Sequence, residues 1–432
     1  MLIRRADEDR ELEAGLLAAG RALVNQENAR IIVPAQRGAP GYWFGGGNMV
    51  ALPDGRLCLV GRYRNAGDSR TGLDLGDRGK ELALFVSADR GGSWRRLFGF
   101  EKQALVSQGP VAGAAVGREG GPEGGPVGGP EGAARHARGA DVLSIEGAAL
   151  RVTRAGVELY VSSEKRIEYP EPVASYQKPG TGVWTIERLR ADSLEALATA
   201  PVETLLESVD PRYLHVKDPF LYEADGGRLL MFFCHHPFSW SSSNTGVLAL
   251  NAEGLPEAAP RLDLVPRGTA WDVAITRGTC LFDLPEAAGL LSRCGARSGS
   301  ALGGGEWPRS GGAPSGGARS GRNRVGLVFY DGGESLRNLA EHPSAVARPR
   351  GYSCEELGGL GMCFDGDPGS FERLSPLFPA FVSPWGTGSS RYVDVLRAGG
   401  SCYVTWQQAQ ADGSQPLVLN VLSEARLAEF LR

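Results

Sequence analysis

The sequence predicts an all-β protein, a five-bladed β-propeller with short peripheral helices. One observation is a repeat: an apolar strand, a tight turn and a second strand recur five times, starting at Asn48, Glu146, Asp218, Asp272 and Tyr392. The other is composition, since the 432 residues include 62 glycines and 27 prolines, which favours many short strands joined by turns. Radial repetition of four-stranded units leaves only short edge strands, and propellers are built in this way.

Each repeat is identified by its turn and by the strands that follow it. Turns of the DG, AG, DGG and AGG type occur in "ALPDGRLCLV", "VTRAGVELYV", "YEADGGRLLM" and "VLRAGGSCYV", and glycine adopts the positive φ that such hairpin turns need. Further strands are expected in "ELALFVS", "WRRLFGF", "GVWTIERL", "GVLALN", "VGLVFYD" and "PLVLNVLS". The run "RIIVPAQ" at residues 30–36 is predicted to close the ring with the last unit. A β-sandwich or a pair of β domains is the alternative.

Two segments stand apart from this pattern. Residues 109–140 and 295–322 are rich in glycine, proline, serine and arginine and hold almost no large apolar residues. Such segments cannot bury enough surface to offset the entropy of ordering the chain. They are predicted to be disordered inserts in a single propeller domain spanning residues 1–432. Helix is expected only over residues 7–22 and in the C-terminal "SEARLAEFLR".

Composition and charge exclude several classes of protein. The net charge is −4 and 22% of the residues are charged, so no strongly basic surface for nucleic acid or anionic lipid is expected. No apolar run approaches about 18 residues, and the N-terminus lacks the apolar region of a signal peptide. The seven cysteines, an odd number with no CxxC pair, are interpreted as free thiols of a reducing compartment. The protein is therefore predicted to be cytoplasmic.

One turn carries a recognisable motif. The stretch "SADRGGSW" fits the pattern Ser-x-Asp-x-Gly-x-Ser/Thr-Trp, with Ser87, Asp89, Gly91 and Trp94 at its key positions. Asp89 can accept backbone N–H bonds, Gly91 can take a left-handed conformation and Trp94 can pack between sheets. The motif resembles the Asp-box of sialidase-type propellers, which lies between the third and fourth strands of a blade. That resemblance implies a structural role away from the active site, with a six-bladed propeller as the alternative architecture.

The starts of the inner strands are the predicted site. Because the innermost strand of each blade begins at the axis, Asn48, Glu146, Asp218, Asp272, and Tyr392 or Asp394 are expected to meet in one funnel. A carboxyl group buried beside others has a raised pKa, which suits a general acid, and a pair of carboxyl groups carries out glycoside hydrolysis. The turn in "VFYDGGESL" adds Glu334 as a candidate acid. The structural alternative is that each acid caps a strand or bonds a neighbouring blade.

A second resemblance comes from "KDP" at residues 217–219. It is similar to the inner-strand start of five-bladed glycosidases of the arabinanase, xylosidase and invertase type. That resemblance implies an Asp base in the first blade, an Asp pKa modulator in the second and a Glu acid in the third. This chain has Asn48, Glu146 and Asp218 at those positions, so the roles do not carry over unchanged.

Further candidates line the predicted funnel. The sialidase resemblance implies three arginines on a substrate carboxylate, which Arg62, Arg64, Arg70, Arg277 or Arg391 could supply. Aromatic side chains offer flat faces for sugar C–H surfaces, and His215 lies three residues before Asp218. The predicted substrate-binding residues are Trp43, Asn48, Arg62, His215, Trp271, Arg277, Trp385, Arg391, Tyr392 and Asp394.

Metals and cofactors are not predicted. The chain has five histidines, and no His/Cys set has zinc spacing, including the "CHHP" at residues 234–237. No nucleophile elbow and no phosphate-binding loop occur.

The predicted function is exo-acting glycoside hydrolysis of a small oligosaccharide, with arginines that leave room for an acidic sugar. Glu334 or Asp218 would protonate the leaving oxygen, and Asp272 or Glu146 would activate water or attack the anomeric carbon. A non-catalytic carbohydrate- or protein-binding propeller is the alternative, favoured by Asn48 in place of an acid. A lyase or a glycoside phosphorylase is a further one, although the sequence shows no basic cluster near the acids for a phosphate. The sequence leaves the sugar, linkage, stereochemistry and oligomeric state open.

Overall fold

A computed structural model describes residues 7–65, 77–110, 137–177, 180–240, 242–293, 324–333 and 356–432. Its strands form five antiparallel sheets. The innermost strands of neighbouring sheets contact one another in sequence, and the fifth contacts the first. The prediction of an all-β, five-bladed propeller is confirmed.

The blades follow one another along the chain. The first blade holds β2 Trp43–Gly45, β3 Met49–Ala51, β4 Leu57–Asn65, β5 Asp77–Ser87 and β6 Arg95–Glu101. The second holds β7 Val142–Thr153, β8 Gly156–Lys165, β9 Val183–Ala191 and β10 Glu203–Leu206. The third holds β11 Leu214–Ala224, β12 Arg228–His236 and β13 Asn244–Leu250. The fourth blade holds β14 Ile275–Asp283, β15 Val325–Gly333, β16 Leu357–Phe364 and β17 Asp367–Arg373. The fifth holds β18 Ser390–Ala398, β19 Ser401–Gln408, β20 Leu417–Ser423 and, from the N-terminus, β1 Arg30–Val33.

The N-terminal strand closes the ring, as the sequence predicts. Strand β1 pairs antiparallel with β20, with Arg30 opposite Leu419 and Val33 opposite Leu417. The first strand in the chain therefore completes the last blade. This pairing of the N-terminal strand with the last blade joins the two ends of the ring through backbone hydrogen bonds.

The fourth blade departs from the expected pattern. The hairpin expected from Asp272 does not form, because β14 is one strand from Ile275 to Asp283 with no turn inside it, and it pairs with β15, far along the chain. The next strand, β16, was not identified in the sequence because its run "LGGLGMCF" is rich in glycine. Those glycines make room for the rings of Phe381, Tyr330 and Phe371, which a Cβ atom would meet.

Apolar side chains fill the spaces between blades. Each of the five junctions between neighbouring blades has its own buried cluster, and the one between the fourth and fifth blades is extended by Leu12, Leu16 and Leu23 of helix α1, Asp7–Leu23. The short helices α2, Ala288–Arg293, and α3, Glu424–Glu429, contact α1. None of the described helices has the length and apolar character needed to cross a membrane.

The "SADRGGSW" turn joins β5 and β6, the third and fourth strands of the first blade. Asp89 accepts hydrogen bonds from Ser87 Oγ at 2.7 Å and from the backbone N–H and Oγ of Ser93 at 2.8 and 2.7 Å. These bonds hold the pKa of Asp89 well below its usual range. Gly91 has a φ of +86°, and Trp94 packs partly buried between the fifth and first blades. In an antiparallel blade this turn lies at the opposite end from the inner-strand starts. The likeness to sialidases stays a prediction.

The cysteines and the predicted inserts are covered only in part. Cys58, Cys234, Cys280, Cys363 and Cys402 are buried free thiols. Cys294 and Cys354 lie outside the described residues, as do residues 111–136 and 295–322 of the two predicted inserts.

The closing strand supplies a test of ring closure with an internal control. Val33 is 1% exposed and packs in the junction of the fifth and first blades, whereas Ile31 on the same strand is 50% exposed. Val33→Asp is expected to lower the free energy of unfolding by about 3 kcal/mol or more, because it buries a charge. Ile31→Asp is expected to change it by less than about 0.5 kcal/mol. Urea unfolding followed by circular dichroism measures both, and equal effects would show that β1 does not close the ring.

Candidate active site

The inner strand of every blade is broken at a similar level. In the first blade the break is the stretch between β2 and β3. In the others it is a register shift, found between Ile145 and Ala148, Lys217 and Phe220, Gly278 and Cys280, and Arg391 and Asp394. Bulges of this kind re-aim side chains and are frequent beside active sites. Asp218 and Tyr392, at two of the bulges, have positive φ angles of 53° and 55°, which residues other than glycine rarely adopt.

The bulged residues line a small, partly open cavity. The polar side chains that line it are those of Asn48, Asp218, Arg277, Thr279, Tyr392 and Asp394. They come from blades one, three, four and five, so the cavity lies where the blades converge. We call these residues, together with the ion-pair network that contacts them, the axial cluster; that network consists of Arg62, Glu146, Asp331, Glu356 and Arg391.

Glu146 is held as an anion. Its Oε2 accepts from Arg62 Nη2 at 3.1 Å, and its Oε1 accepts from Ser144 Oγ at 2.8 Å. Burial alone would raise the pKa of Glu146, but Arg62, Lys217 and the Ser144 hydrogen bond outweigh it and hold that pKa at about 2. The carboxylate is therefore ionised throughout the physiological range.

Asp218 joins the second, third and fourth blades. Its Oδ1 accepts from the backbone N–H of Gly147 at 2.8 Å, beside Glu146 in the chain. Its Oδ2 accepts from Arg277 Nη1 at 3.1 Å. A Cβ atom on Gly147 would lie 2.6 Å from Asp218 Oδ1, so only glycine allows this approach. The backbone next to Glu146 therefore contacts Asp218, whereas Glu146 itself is not among the residues that line the cavity.

Arg277 is the hub of the axial cluster. Besides Asp218, it donates through Nη2 to Asp331 at 2.7 Å and to Glu356 at 2.9 Å. Burial and the Glu356 charge raise the pKa of Asp331 to about 7 against the pull of Arg277. Burial opposes ionisation of Glu356 as well, but Arg277 and Arg391 hold its pKa at about 2. Sequence reasoning missed Glu356, which belongs to no motif and lies just before β16.

The Tyr392 ring contacts the guanidinium groups of Arg277 and Arg62. The guanidinium carbon of Arg277 is 4.0 Å from the ring centroid and that of Arg62 is 5.3 Å away. Arg62 Nη2 also donates to the Tyr392 hydroxyl at 3.1 Å. Burial raises the pKa of Tyr392 above its usual range, so the phenol stays neutral.

Trp43 is covered by two further arginines. The guanidinium carbon of Arg391 is 4.1 Å from its ring centroid, and that of Arg64 is 4.4 Å away. Burial lowers the pKa of Arg64 to about 10, and the neighbouring cations Arg391, Arg62 and Arg78 add to that effect. This crowding of positive charge contradicts the sequence reading that no basic cluster lies near the acids.

Asn48 and Asp394, two predicted binding residues, line the cavity but form different hydrogen bonds. Asn48 is fully engaged with the second blade, since its amide nitrogen donates to Leu150 O at 2.9 Å and its amide oxygen accepts from Leu150 N at 2.7 Å. Asp394 accepts from Met49 N at 2.8 Å, and burial raises its pKa to about 7. Asn48 thus links blades, while Asp394 presents a carboxyl group that is half protonated near neutrality.

His215 lies in a buried aromatic cluster beside the axial cluster. Its backbone N–H donates to the Tyr169 hydroxyl at 2.8 Å, and its Nε2 is 3.1 Å from Tyr176 O, so that nitrogen carries the proton. Its ring packs edge-on against Tyr169, Trp184 and His236. Burial lowers the pKa of His215 to about 4. These contacts give it a structural role under the connection between β8 and β9, not the predicted place on a substrate.

The structure does not bring Asp272 into the axial cluster. Asp272 precedes β14, is fully buried, and accepts from Arg373 Nε at 2.8 Å and from the Tyr330 hydroxyl at 3.1 Å. Arg373 belongs to the outermost strand of the fourth blade. The expected convergence was wrong because β14 starts after Asp272, which places Arg277 at the axis instead.

The remaining predicted residues lie elsewhere. Trp271 stacks on Tyr330 and donates from Nε1 to Ser375 O at 3.3 Å, so it belongs to the core. Trp385 is 37% exposed in the connection before β18. Glu334 and Arg70 lie outside the described residues. Within the described ranges, no three His, Cys, Asp or Glu side chains are grouped as metal ligands.

Comparison with known proteins supports the fold alone. No protein-family model and no curated protein sequence matches the chain. A solved structure described as a glycoside hydrolase does, with a TM-score of 0.51, 9% identity and 96% of each chain covered. A thermostable family-43 glycoside hydrolase (TM-score 0.48, 10% identity, 88% of each chain) and an alpha-L-arabinofuranosidase from Lactobacillus brevis (0.48, 9%, 90% and 91%) are also similar.

The chain therefore shares the overall propeller fold of the first of these structures. At 9% identity, the likeness extends to the propeller and not to individual side chains.

The buried histidine predicts a pH-dependent stability. The unfolded chain, in which His215 has its ordinary pKa near 6.5, binds a proton that the folded state takes up only near pH 4. Stability therefore falls as the pH falls through that window, by about 2 kcal/mol between pH 7 and 5 from this residue. Urea unfolding at pH 7 and pH 5 measures the loss of unfolding free energy between the two. We expect that loss to be smaller by about 2 kcal/mol in His215→Gln than in the wild-type protein. An unchanged pH dependence in the variant would contradict the assignment.

Proposed function

We propose that the protein is an exo-acting glycoside hydrolase that cleaves a small oligosaccharide whose terminal sugar bears an anionic group. The observation that carries this proposal is the pairing of Glu146 and Asp218 at the axis, on neighbouring inner strands and each with its own arginine. Two carboxyl groups flanking one bond are the machinery of glycoside hydrolysis. The propeller fold shared with a glycoside hydrolase agrees with that chemistry but does not establish it.

Glu146 is proposed as the base or nucleophile. Because Arg62 and Lys217 keep the pKa of Glu146 at about 2, its side chain is ionised throughout the neutral pH range. The Arg62 and Ser144 hydrogen bonds orient it, leaving lone pairs for water or for the anomeric carbon. It cannot serve as the proton donor, because a group with that pKa carries no proton near neutrality.

Asp218 is proposed to stabilise positive charge on the sugar. Both of its oxygens accept hydrogen bonds, Oδ1 from the Gly147 N–H and Oδ2 from Arg277, so its orientation is fixed. An oxocarbenium-like transition state gains from a fixed negative charge beside it. The positive φ of Asp218 holds the side chain in this position.

The proton donor needs a carboxyl group that is protonated near neutrality and accessible from the cavity. Among the carboxyl groups in the described ranges, Asp394 meets both conditions, with a pKa of about 7 and a place in the cavity wall. Asp331 has a similar pKa, but its oxygens are engaged with Arg277 and the Tyr392 N–H. Glu334 stays a candidate outside the described part.

A glycoside phosphorylase is the second candidate. Four arginines, Arg62, Arg64, Arg277 and Arg391, lie among the acids, and such a cluster suits a phosphate. Phosphate dependence of turnover separates the two reactions, because hydrolysis needs none. A binding protein without turnover is favoured only by Asn48, whose amide is engaged with Leu150.

Substitution of the paired carboxyl groups tests the proposal. With a panel of aryl uronides, sialosides, arabinofuranosides and fructosides, Glu146→Gln and Asp218→Asn are each expected to lower kcat/KM by about 10³-fold. Asp272→Asn, the matched control at a buried carboxylate outside the axial cluster, should keep kcat/KM within about threefold while lowering the melting temperature. No turnover of any substrate by the wild-type protein would refute the hydrolase.

The proton donor gives the reaction a pH signature. Because a general acid must be protonated, kcat/KM is expected to fall as the pH rises through about 7, the pKa of Asp394. Asp394→Asn should lower kcat/KM at pH 6 by about 10²-fold or more and remove that basic limb. A limb that persists in Asp394→Asn and vanishes in Glu334→Gln would assign the role to Glu334.

A further inference from the structure

The arginines of the axial cluster differ in how fully carboxylates satisfy them. Arg277 is paired with Asp218, Asp331 and Glu356, and Arg62 is paired with Glu146. In the described part of the chain, Arg391 is paired with Glu356 alone, and it shares that carboxylate with Arg277. This shortage of acceptors around Arg391 points to an anion that comes from outside the chain.

Arg391 shows where the anion would bind. Its Nη1 donates to Glu356 Oε2 at 2.5 Å, but its Nε and Nη2 have no acceptor in the described part of the chain, although the residue is only 8% exposed. Nε and Nη2 lie on one edge of the guanidinium group, the side-on fork that matches the two oxygens of a carboxylate. A buried donor pair left empty is costly, so its partner is expected to be a ligand.

The surroundings hold that edge in place. The Arg391 guanidinium is stacked 4.1 Å over Trp43, which also carries Arg64 at 4.4 Å. Arg62 adds a second buried donor without an acceptor in the described residues, its Nη1. Arg62 and Arg391 both lie over the Tyr392 ring, at 5.3 and 5.6 Å. The empty donors therefore belong to one part of the axial cluster, next to Glu146.

We propose that the Nε–Nη2 edge of Arg391, stacked on Trp43 and supported by Arg62 and Arg64, binds the carboxylate of a sugar acid. The planar, two-pronged geometry favours a carboxylate over a neutral hydroxymethyl group at the same position of the ring. The inference rests on the proposed function in taking the ligand to be a sugar. It adds the residue that selects an acidic sugar and the group on the sugar that is selected.

Binding measurements test this without relying on turnover. Isothermal titration calorimetry with D-glucuronate, D-galacturonate and N-acetylneuraminate, each beside a neutral counterpart, is expected to show at least about tenfold tighter binding for one acid. Arg391→Lys keeps a cation for Glu356 but removes the fork, so it should lose about tenfold in affinity for that acid and little for the neutral sugar. Arg373→Lys, a matched change in the buried Asp272 pair, should bind like the wild type.

Each other outcome overturns the inference. Equal affinity of the wild-type protein for acidic and neutral sugars would remove the anion site, whether or not the variants fold. Unchanged binding of the acid by Arg391→Lys would place the site elsewhere. Inorganic phosphate binding as tightly as the sugar acid would make the anion a co-substrate. Tight binding of a sugar acid without turnover, in contrast, would refute the hydrolase and leave this inference standing.

Discussion

The rest of the site depends on one buried cation, the guanidinium group of Arg277. It contacts Asp218 from the third blade, Asp331 from its own blade and the Tyr392 ring from the fifth. Burying a guanidinium group is costly unless charged partners surround it, and removing it would leave several carboxylates uncompensated in the interior. The ion pairs therefore do more than add stability, because they fix where Asp218 points and, through Glu356, where Arg391 points.

The backbone makes this cluster possible. A regular strand would alternate its side chains between the two junctions beside each blade, and these junctions are filled by apolar clusters. The bulges at the inner-strand starts break that alternation and aim polar groups at the axis. Asp218 and Tyr392 take positive φ angles for this purpose, a strained choice that the surrounding ion pairs maintain. The fold and the site are thus linked at the same few residues.

The sequence predicted the fold well because turns and strand patterns, including the apolar strand at residues 30–33, are local signals. The sequence did not predict elements that depend on tertiary packing. Strand β16 is rich in glycine because aromatic rings occupy the space that its side chains would otherwise fill. Asp272 was misplaced because the start of β14 depends on pairing with β15, distant in the chain. Glu356 carries no motif, and its role follows only from its contacts with two arginines. Strand register, which composition does not encode, decides which carboxyl groups reach the axis.

The central claim is that the reacting bond lies against Glu146 in the axial cluster. A crystal structure of Glu146→Gln with a bound uronide tests it most directly. We expect the anomeric carbon to lie about 3–3.5 Å from the substituted side chain or from one intervening water. A sugar bound away from the axis, against the Asp272 and Arg373 pair or on the outer face of a blade, would contradict the account.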